Sequence, residues 1–161
     1  DLGNLVNRAL NMTGRYADGK IPSDPHKGDL EDEIRTAWLK TRDEVIGLYR
    51  EFQFHTGLDR TFLFIKSINR YAEQRAPWKL AKSAEPADQA TLRVTLAVMA
   101  ETLRLATSLI APVMPGIADR VAELLGHERA ASWMDELEWS GVLAGNEVAK
   151  PTILFPRPDS K

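Results

Sequence analysis

The sequence predicts an all-α protein, a bundle of about five helices joined by short loops. Apolar residues recur every three or four positions along most of the chain, which is the spacing of one face of a helix. Prolines and glycines separate these stripes, where helices begin and end. Because several stripes need apolar partners, packing them on each other is the simplest arrangement. We expect a single domain over residues 1–161, with 140–161 as an extended C-terminal tail.

Composition narrows the class of protein. Apolar residues make up 43% and charged residues 27% of the chain, as in ordinary globular proteins. The chain has no cysteine, which excludes disulfides, thiolate metal sites and cysteine nucleophiles and fits a reducing, cytoplasmic location. Prolines 112 and 115 interrupt the longest uncharged run, so we expect no membrane segment. No initiator Met or signal peptide opens the chain, which we interpret as a piece of a longer polypeptide.

The helix boundaries are predicted from capping residues, glycines and prolines, and the helices between them from the spacing of apolar residues. We expect the first over residues 1–17 and the second from a cap at Asp29 to about residue 55, ended by Gly57. The third starts at Asp59 and runs into Pro77. The fourth is opened by residues 83–90 and ended by Pro112, and the fifth runs from Pro115 to Gly126. We expect the chain after Gly126, including Trp133 and Trp139, to be irregular. The expected inner residues of the second and third helices are Ile34, Trp38, Val45, Leu48, Phe52, Phe62, Ile65, Ile68 and Ala72.

The fourth helix carries the longest apolar seam, spaced alternately by four and three residues. This heptad spacing allows an intermolecular coiled coil, but the matching stripes of the other helices favour an intramolecular bundle. The seam residues are Leu92, Leu96, Met99, Leu103, Ala106 and Ile110.

One face of the first helix is polar, with Asn4, Arg8, Asn11 and Arg15 at helical spacing. Asn11 and Arg15 are one turn apart, so their side chains emerge together. An amide beside a guanidinium can read a base edge and a phosphate. For any single residue, a solvated polar face is the competing interpretation.

The segment 60–82 is strongly basic, because six basic residues stand against one acid for a net charge of +5 in a chain of net charge −2. Trp78 follows Pro77 at its helix break. A flat ring among cations suits stacking of an unpaired base, whereas composition alone favours a tryptophan buried in the core. No catalytic set accompanies it: His26, His55 and His127 lack metal spacing, and no glycine-rich phosphate loop is present. Binding is therefore the expected function.

Four stretches together resemble the anticodon-binding domain of bacterial methionyl-tRNA synthetases. They are residues 1–8 leading to Asn11 and Arg15; residues 69–71 leading to Ala-Pro-Trp-Lys-Leu-Ala-Lys at 76–82; Ser-Leu-Ile-Ala-Pro-Val-Met-Pro at 108–115; and Leu-Phe-Pro-Arg at 154–157. The first and third stretches also resemble other class I synthetases, whereas the second is specific to the methionyl family.

The resemblance implies that Pro77 and Trp78 present a ring to the first anticodon base, and that Asn11 and Arg15 help to read the anticodon. From charge alone we add phosphate contacts by Arg70, Arg75, Lys79 and Lys82. The implied partners are the CAU anticodon loop of methionine tRNA and the catalytic domain of the same chain. ATP and Mg²⁺, with zinc an open question, would belong to that catalytic half, which attaches methionine to tRNA; this piece would hold no catalytic residue and no metal.

Two alternatives remain open at this point. The same fold could serve another class I synthetase. The chain could also be a helical protein–protein module that docks through the 92–110 seam or the apolar tail at 153–155.

Overall fold

The computed structural model describes residues 2–23 and 28–151. It confirms the all-α class, with five helices of ten residues or more and two of a single turn. The helices are α1 Leu2–Tyr16, α2 Asp29–Arg50, α3 Phe54–Arg75, α4 Pro77–Leu80, α5 Pro86–Ile110, α6 Pro115–Leu124 and α7 Trp133–Glu136. In the part of the chain described, no helix combines the length and apolarity needed to cross a membrane.

The α2–α3 turn differs from the sequence prediction. α2 ends at Arg50 rather than near residue 55, and Phe52 adopts a left-handed φ of 61°. Gly57 therefore does not end α2 but lies buried inside α3, where an added Cβ would sit 2.4 Å from Cε1 of Tyr49. Asp59 likewise lies within α3 instead of capping it. The glycine is required for close packing, which periodicity cannot distinguish from a helix end.

Three further expectations about these elements are corrected. The backbone of Gly28 occupies the cap position of α2, and Asp29 is the first helical residue. Phe52 and Phe62 are exposed rather than inner residues, because the early end of α2 and the pitch of α3 turn them outward. Residues 133–136, expected to be irregular, form the short helix α7.

α5 is the central helix, and every residue from Val98 to Ile110 is buried. All six seam residues are buried within the chain, and four of them, Met99, Leu103, Ala106 and Ile110, belong to its hydrophobic core cluster. The seam is thus not free for an intermolecular coiled coil or for a docked partner. The apolar tail at 153–155, the motif at 154–157 and His26 lie outside the described residues.

A buried arginine joins α5 to the segment after α6. Arg104 forms ion pairs with Glu101 at 2.7 Å and with Glu136 at 3.0 Å. Its guanidinium also donates to the backbone oxygens of Glu136 and Glu138. The Glu101 carboxylate in turn accepts the N–H of Ser140 at 3.0 Å. One charged cluster therefore fixes an irregular segment on the helix, because each buried charge has several partners.

The loop after α1 is tied to the last described segment. Lys20 and Glu147 form an antiparallel bridge, and the N–H of Val148 donates to the oxygen of Gly19 at 2.8 Å. The N–H of Ala149 donates to the backbone oxygen of Leu124, the last residue of α6, at 2.9 Å. Residues 145–149 are therefore held against both the α1 loop and the end of α6.

Candidate nucleic-acid interface

The Pro77–Trp78 turn is built by a left-handed residue between two helices. Ala76 has φ 48° and ψ 62°, and ends α3 while starting α4. This conformation agrees with the steric effect of proline, which disfavours right-handed helical dihedrals at the preceding residue. Pro77 itself is buried, whereas the Trp78 ring is half-buried. The buried Pro77 therefore anchors the turn on the protein, and part of the Trp78 indole stays accessible.

The far end of α4 is fixed by side chains of α5. The amide of Gln89 donates to the backbone oxygens of Leu80 at 3.2 Å and Ser83 at 2.6 Å. The hydroxyl of Ser83 donates to the carboxylate of Asp88. Because these bonds satisfy carbonyls at the end of α4, they hold the turn that carries Trp78 on the central helix.

Arg8 connects the polar face of α1 to Trp78. Its guanidinium carbon lies 5.9 Å from the centre of the Trp78 ring, in the range of a cation–π contact. The same group pairs with Glu73 at 2.9 Å and donates to Oδ1 of Asn69 at 3.4 Å. Since Asn11 lies one turn after Arg8, the structure brings the α1 face and the tryptophan turn into one neighbourhood.

Arg75 is partly buried, with 20% of its side chain exposed, and it is paired with the buried Glu31. Its guanidinium donates twice to the carboxylate of Glu31, through Nε at 3.1 Å and through Nη2. The hydroxyl of Tyr71 donates to the same carboxylate at 3.1 Å. Burial, and then the charge of Glu31, raise the pKa of Tyr71 well above its ordinary value. The three side chains join the start of α2 to the end of α3, directly before the Pro77 turn.

Asn11 and Arg15 border a cleft of about 540 Å³ between the end of α1 and the segment 148–151. Both side chains are exposed, and neither forms a salt bridge or side-chain hydrogen bond with another described residue. Gly14 lies between them, and a Cβ built there meets nothing within 4 Å. Lys150 lines the opposite wall. The cleft is therefore lined by the helix backbone at Gly14, the amide of Asn11, the cations of Arg15 and Lys150, and the carboxylate of Asp18.

Of the remaining predicted cations, Arg70, Lys79 and Lys82 are exposed. Within residues 2–23 and 28–151 none of the three forms an ion pair. Sequence reasoning placed Arg8 in the polar stripe but not in the site, although its spacing of three from Asn11 was a usable signal. It missed Lys150 and Gln89, which enter only through tertiary contacts.

The sequence of this chain is similar to those of known proteins. Residues 62–159 match a family model described as the anticodon binding domain of methionyl tRNA ligase. The methionine–tRNA ligase of Streptomyces coelicolor is 34% identical over 170 residues, which cover 100% of this chain and 31% of that protein. The enzyme of Deinococcus radiodurans is 36% identical over 161 residues, covering 100% of this chain and 23% of that protein.

Solved structures of the same family are similar to this chain as well. The free-state methionyl-tRNA synthetase of Mycobacterium tuberculosis superposes with a TM-score of 0.89 and 31% identity, over 99% of this chain and 32% of that one. A structure of the same enzyme bound by methionyl-adenylate gives a TM-score of 0.87. The chain spans between 23% and 32% of the length of these relatives. By its match over residues 62–159, the chain belongs to the family of anticodon-binding domains of methionyl-tRNA ligases.

Proposed function

We propose that this chain recognises the CAU anticodon loop of methionine tRNA as part of a longer methionine–tRNA ligase. The observation that carries the proposal is the contact of Arg8 with Trp78, which joins the tryptophan turn to the α1 face with Asn11 and Arg15. A stacking surface and a base-reading pair in one neighbourhood are what recognition of splayed, unpaired bases requires.

Each part of the interface has a distinct role in this proposal. The accessible part of the Trp78 ring stacks on the first anticodon base, a contact typically worth about 1–3 kcal/mol. Pro77 holds the ring at the turn. Asn11 supplies an amide for a base edge, and Arg15 supplies a guanidinium for a base edge or phosphate. Stacking is tolerant of base identity, so selectivity rests on the α1 pair.

Phosphate attraction is assigned to the cations that the fold leaves available. Arg70, Lys79 and Lys82 are exposed near the turn, and Lys150 lies across the cleft from Arg15. These groups add a salt-dependent attraction without base preference. Arg75 takes a positioning role instead, because Glu31 and Tyr71 already occupy its neighbourhood.

The remaining part of the parent ligase would activate methionine with ATP and transfer it to the tRNA. We assign ATP and Mg²⁺ to that part. Across the described ranges no three His, Asp or Glu side chains converge on a metal position. The proposal gives this chain recognition alone.

The test measures binding of the 161-residue chain to a CAU anticodon stem-loop and to a loop changed at the first anticodon base. Anisotropy titrations at two salt concentrations compare the wild type with Trp78→Ala. Trp139→Ala is the matched control, since Trp139 is also half-buried and has Arg35 at 4.8 Å from its ring. Circular dichroism verifies that each variant is folded.

We expect the wild type to prefer CAU, and Trp78→Ala to weaken CAU binding by about 10-fold while Trp139→Ala binds normally. Equal binding of both loops, abolished equally by salt, would reduce the interface to a basic patch. Equal loss in both tryptophan variants would mean that Trp78 acts through folding rather than by stacking.

A further inference from the structure

The end of α2 carries an unusual helix terminus. The N–H of Phe52 donates to the oxygen of Tyr49 at 3.1 Å, and the N–H of Gln53 donates to that of Leu48 at 2.9 Å. This is the Schellman pattern, in which the left-handed position is normally glycine. Here Phe52 occupies it with φ 61°, a backbone conformation that is strained for a residue with a side chain. Its side chain is nevertheless 81% exposed.

Phe52 belongs to a group of four aromatic residues, which we call the aromatic end face: Tyr49, Phe52, Phe54 and Trp133. The rings of Phe52 and Phe54 are 6.2 Å apart, and Tyr49 lies 5.6 Å from Phe54 and 6.0 Å from Trp133. Phe54 is 41% exposed. The four rings form one contact cluster, in which Tyr49 is buried, Trp133 is half-buried, and Phe52 and Phe54 reach the surface.

This surface is fixed to the central helix. The hydroxyl of Tyr49 donates to the oxygen of Leu109 at 2.8 Å, and Nε1 of Trp133 donates to that of Ser108 at 2.6 Å. Both acceptors lie in the last turn of α5, where helix carbonyls need outside partners. The polar ends of two rings thus face inward, while Phe52 and Phe54 face solvent.

The aromatic end face lies far from the proposed RNA site. Phe54 begins α3, and Trp78 follows three residues after its end at Arg75. A helix of 22 residues is about 33 Å long. Residues 49–60 contain two bases, Arg50 and Arg60, and two acids, Glu51 and Asp59, so their net charge is zero with His55 neutral. Their charge does not suit a phosphate backbone, so the face fits an apolar partner.

We propose that the aromatic end face docks on the part of the parent ligase outside this chain. The proposal rests on the proposed function only in taking the chain as part of that longer enzyme. The left-handed position completes the Schellman end of α2, but the fold does not require a phenyl ring there, because glycine adopts this conformation without strain. An exposed aromatic side chain at such a position is typical of an interaction site.

The length of the relatives favours this occupant over a second copy of the chain. This chain is 31% of one relative and 23% of another, so most of a parent ligase lies outside it. A covalently linked partner has a high effective concentration, and a few aromatic rings suffice to hold it. A stable complex with a second copy typically needs about 800 Å² on each partner.

The test compares amide hydrogen exchange of residues 50–56 in the 161-residue chain and in the full-length parent ligase. We expect exchange to be about 10-fold slower in the parent, and this protection to be lost with Phe52→Gly. In the chain alone, Phe52→Gly relieves the strain and raises Tm by about 3 °C. Leu39→Gln removes an exposed apolar residue of α2 outside the face and should leave the protection intact.

Equal exchange in chain and parent, or protection that survives Phe52→Gly, would overturn the proposal. A dimer of the 161-residue chain in sedimentation velocity, made monomeric by Phe52→Gly, would overturn it in favour of a second copy. Stem-loop binding is measured on the same variants. If docking fails while CAU binding persists, the proposed function stands; if CAU binding fails while protection remains, docking stands alone.

Discussion

Arg8 on α1 and Trp78 on α4 are in contact across the bundle, with the guanidinium carbon 5.9 Å from the ring centre. Arg8 is also paired with Glu73 of α3 at 2.9 Å. One side chain thus sets the position of the ring relative to two helices. The face of the ring nearest Arg8 is occupied by a cation, so stacking by a base would use the rest of the indole surface.

Replacement of Arg8 tests this relationship. Arg8→Met keeps the aliphatic stem and removes the charge, so we expect CAU stem-loop affinity to fall several-fold as the ring loses its tether. Stability should change by less than about 1 kcal/mol, since partly exposed ion pairs contribute little. Anisotropy and urea unfolding measure the two effects. Arg42→Met, which removes a partly exposed pair with Asp43, is the control and should bind normally.

Substitution of Gly14 is expected to change helix stability and RNA binding in opposite directions. Glycine inside a helix costs about 1 kcal/mol relative to alanine, and no packing or positive φ requires it here. We therefore expect Gly14→Ala to raise the free energy of unfolding by up to about 1 kcal/mol and to weaken stem-loop binding, because the methyl group projects into the cleft. Gly47→Ala in α2 is matched, since it also has open space. If both variants gain stability and bind RNA normally, no nucleotide reaches the floor of the cleft.

Arg75 should behave as a structural residue. Arg75→Gln leaves the buried carboxylate of Glu31 without its cation, so we expect a loss of about 3 kcal/mol in urea unfolding. The double variant with Glu31→Gln should recover part of that loss, because no uncompensated charge remains. A single variant that unfolds like the wild type but binds RNA poorly would instead make Arg75 a phosphate contact.

Glu136 should make the fold sensitive to acid. Burial raises its pKa, but the N–H of Ala130, the hydrogen bond from His127, and the charges of His127 and Arg104 outweigh burial and lower the pKa below its ordinary 4.5. A carboxylate with a lowered folded pKa contributes stability above its unfolded pKa, and loses it as pH falls through the folded value.

Urea unfolding from pH 7 to pH 3 measures this contribution. We expect Glu136→Gln to be less stable at pH 7 and to show a flatter decline below pH 4.5. Parallel curves for wild type and variant would assign the acid sensitivity to other carboxylates. Glu128→Gln, an exposed acid nearby in the chain, should follow the wild type.

Most helices could be predicted from the spacing of apolar residues and from the prolines and glycines between them, because a helix that packs on one face repeats its buried residues every three or four positions. The seam of α5 and the Pro115 start of α6 are confirmed for this reason. Gly57 was assigned wrongly, since its role depends on Tyr49, which approaches from another helix. The prediction that Phe52 is an inner residue is wrong, because hydrophobicity alone does not reveal a left-handed backbone.

The site was predictable where it is local and not where it is tertiary. The Asn11–Arg15 pair and the Pro77 turn are short-range patterns, and the structure brings them together through Arg8. Whether Arg75 faces solvent depends on Glu31, which is 44 residues away. Lys150 could not be predicted for the same reason, because only the folding of the whole chain brings it to the cleft at the end of α1. Their roles in RNA recognition remain predictions.

The bridge between Lys20 and Glu147 joins two residues that are synthesised 127 positions apart. One wall of the cleft is made by the end of α1, which leaves the ribosome first, and the other by residues 148–151, which leave last. Contacts of such long sequence separation form late. The α1–α5 core can assemble earlier, so a nascent chain would carry its tryptophan turn before it has a complete cleft. Selective recognition would therefore begin only once the chain has been synthesised beyond residue 151.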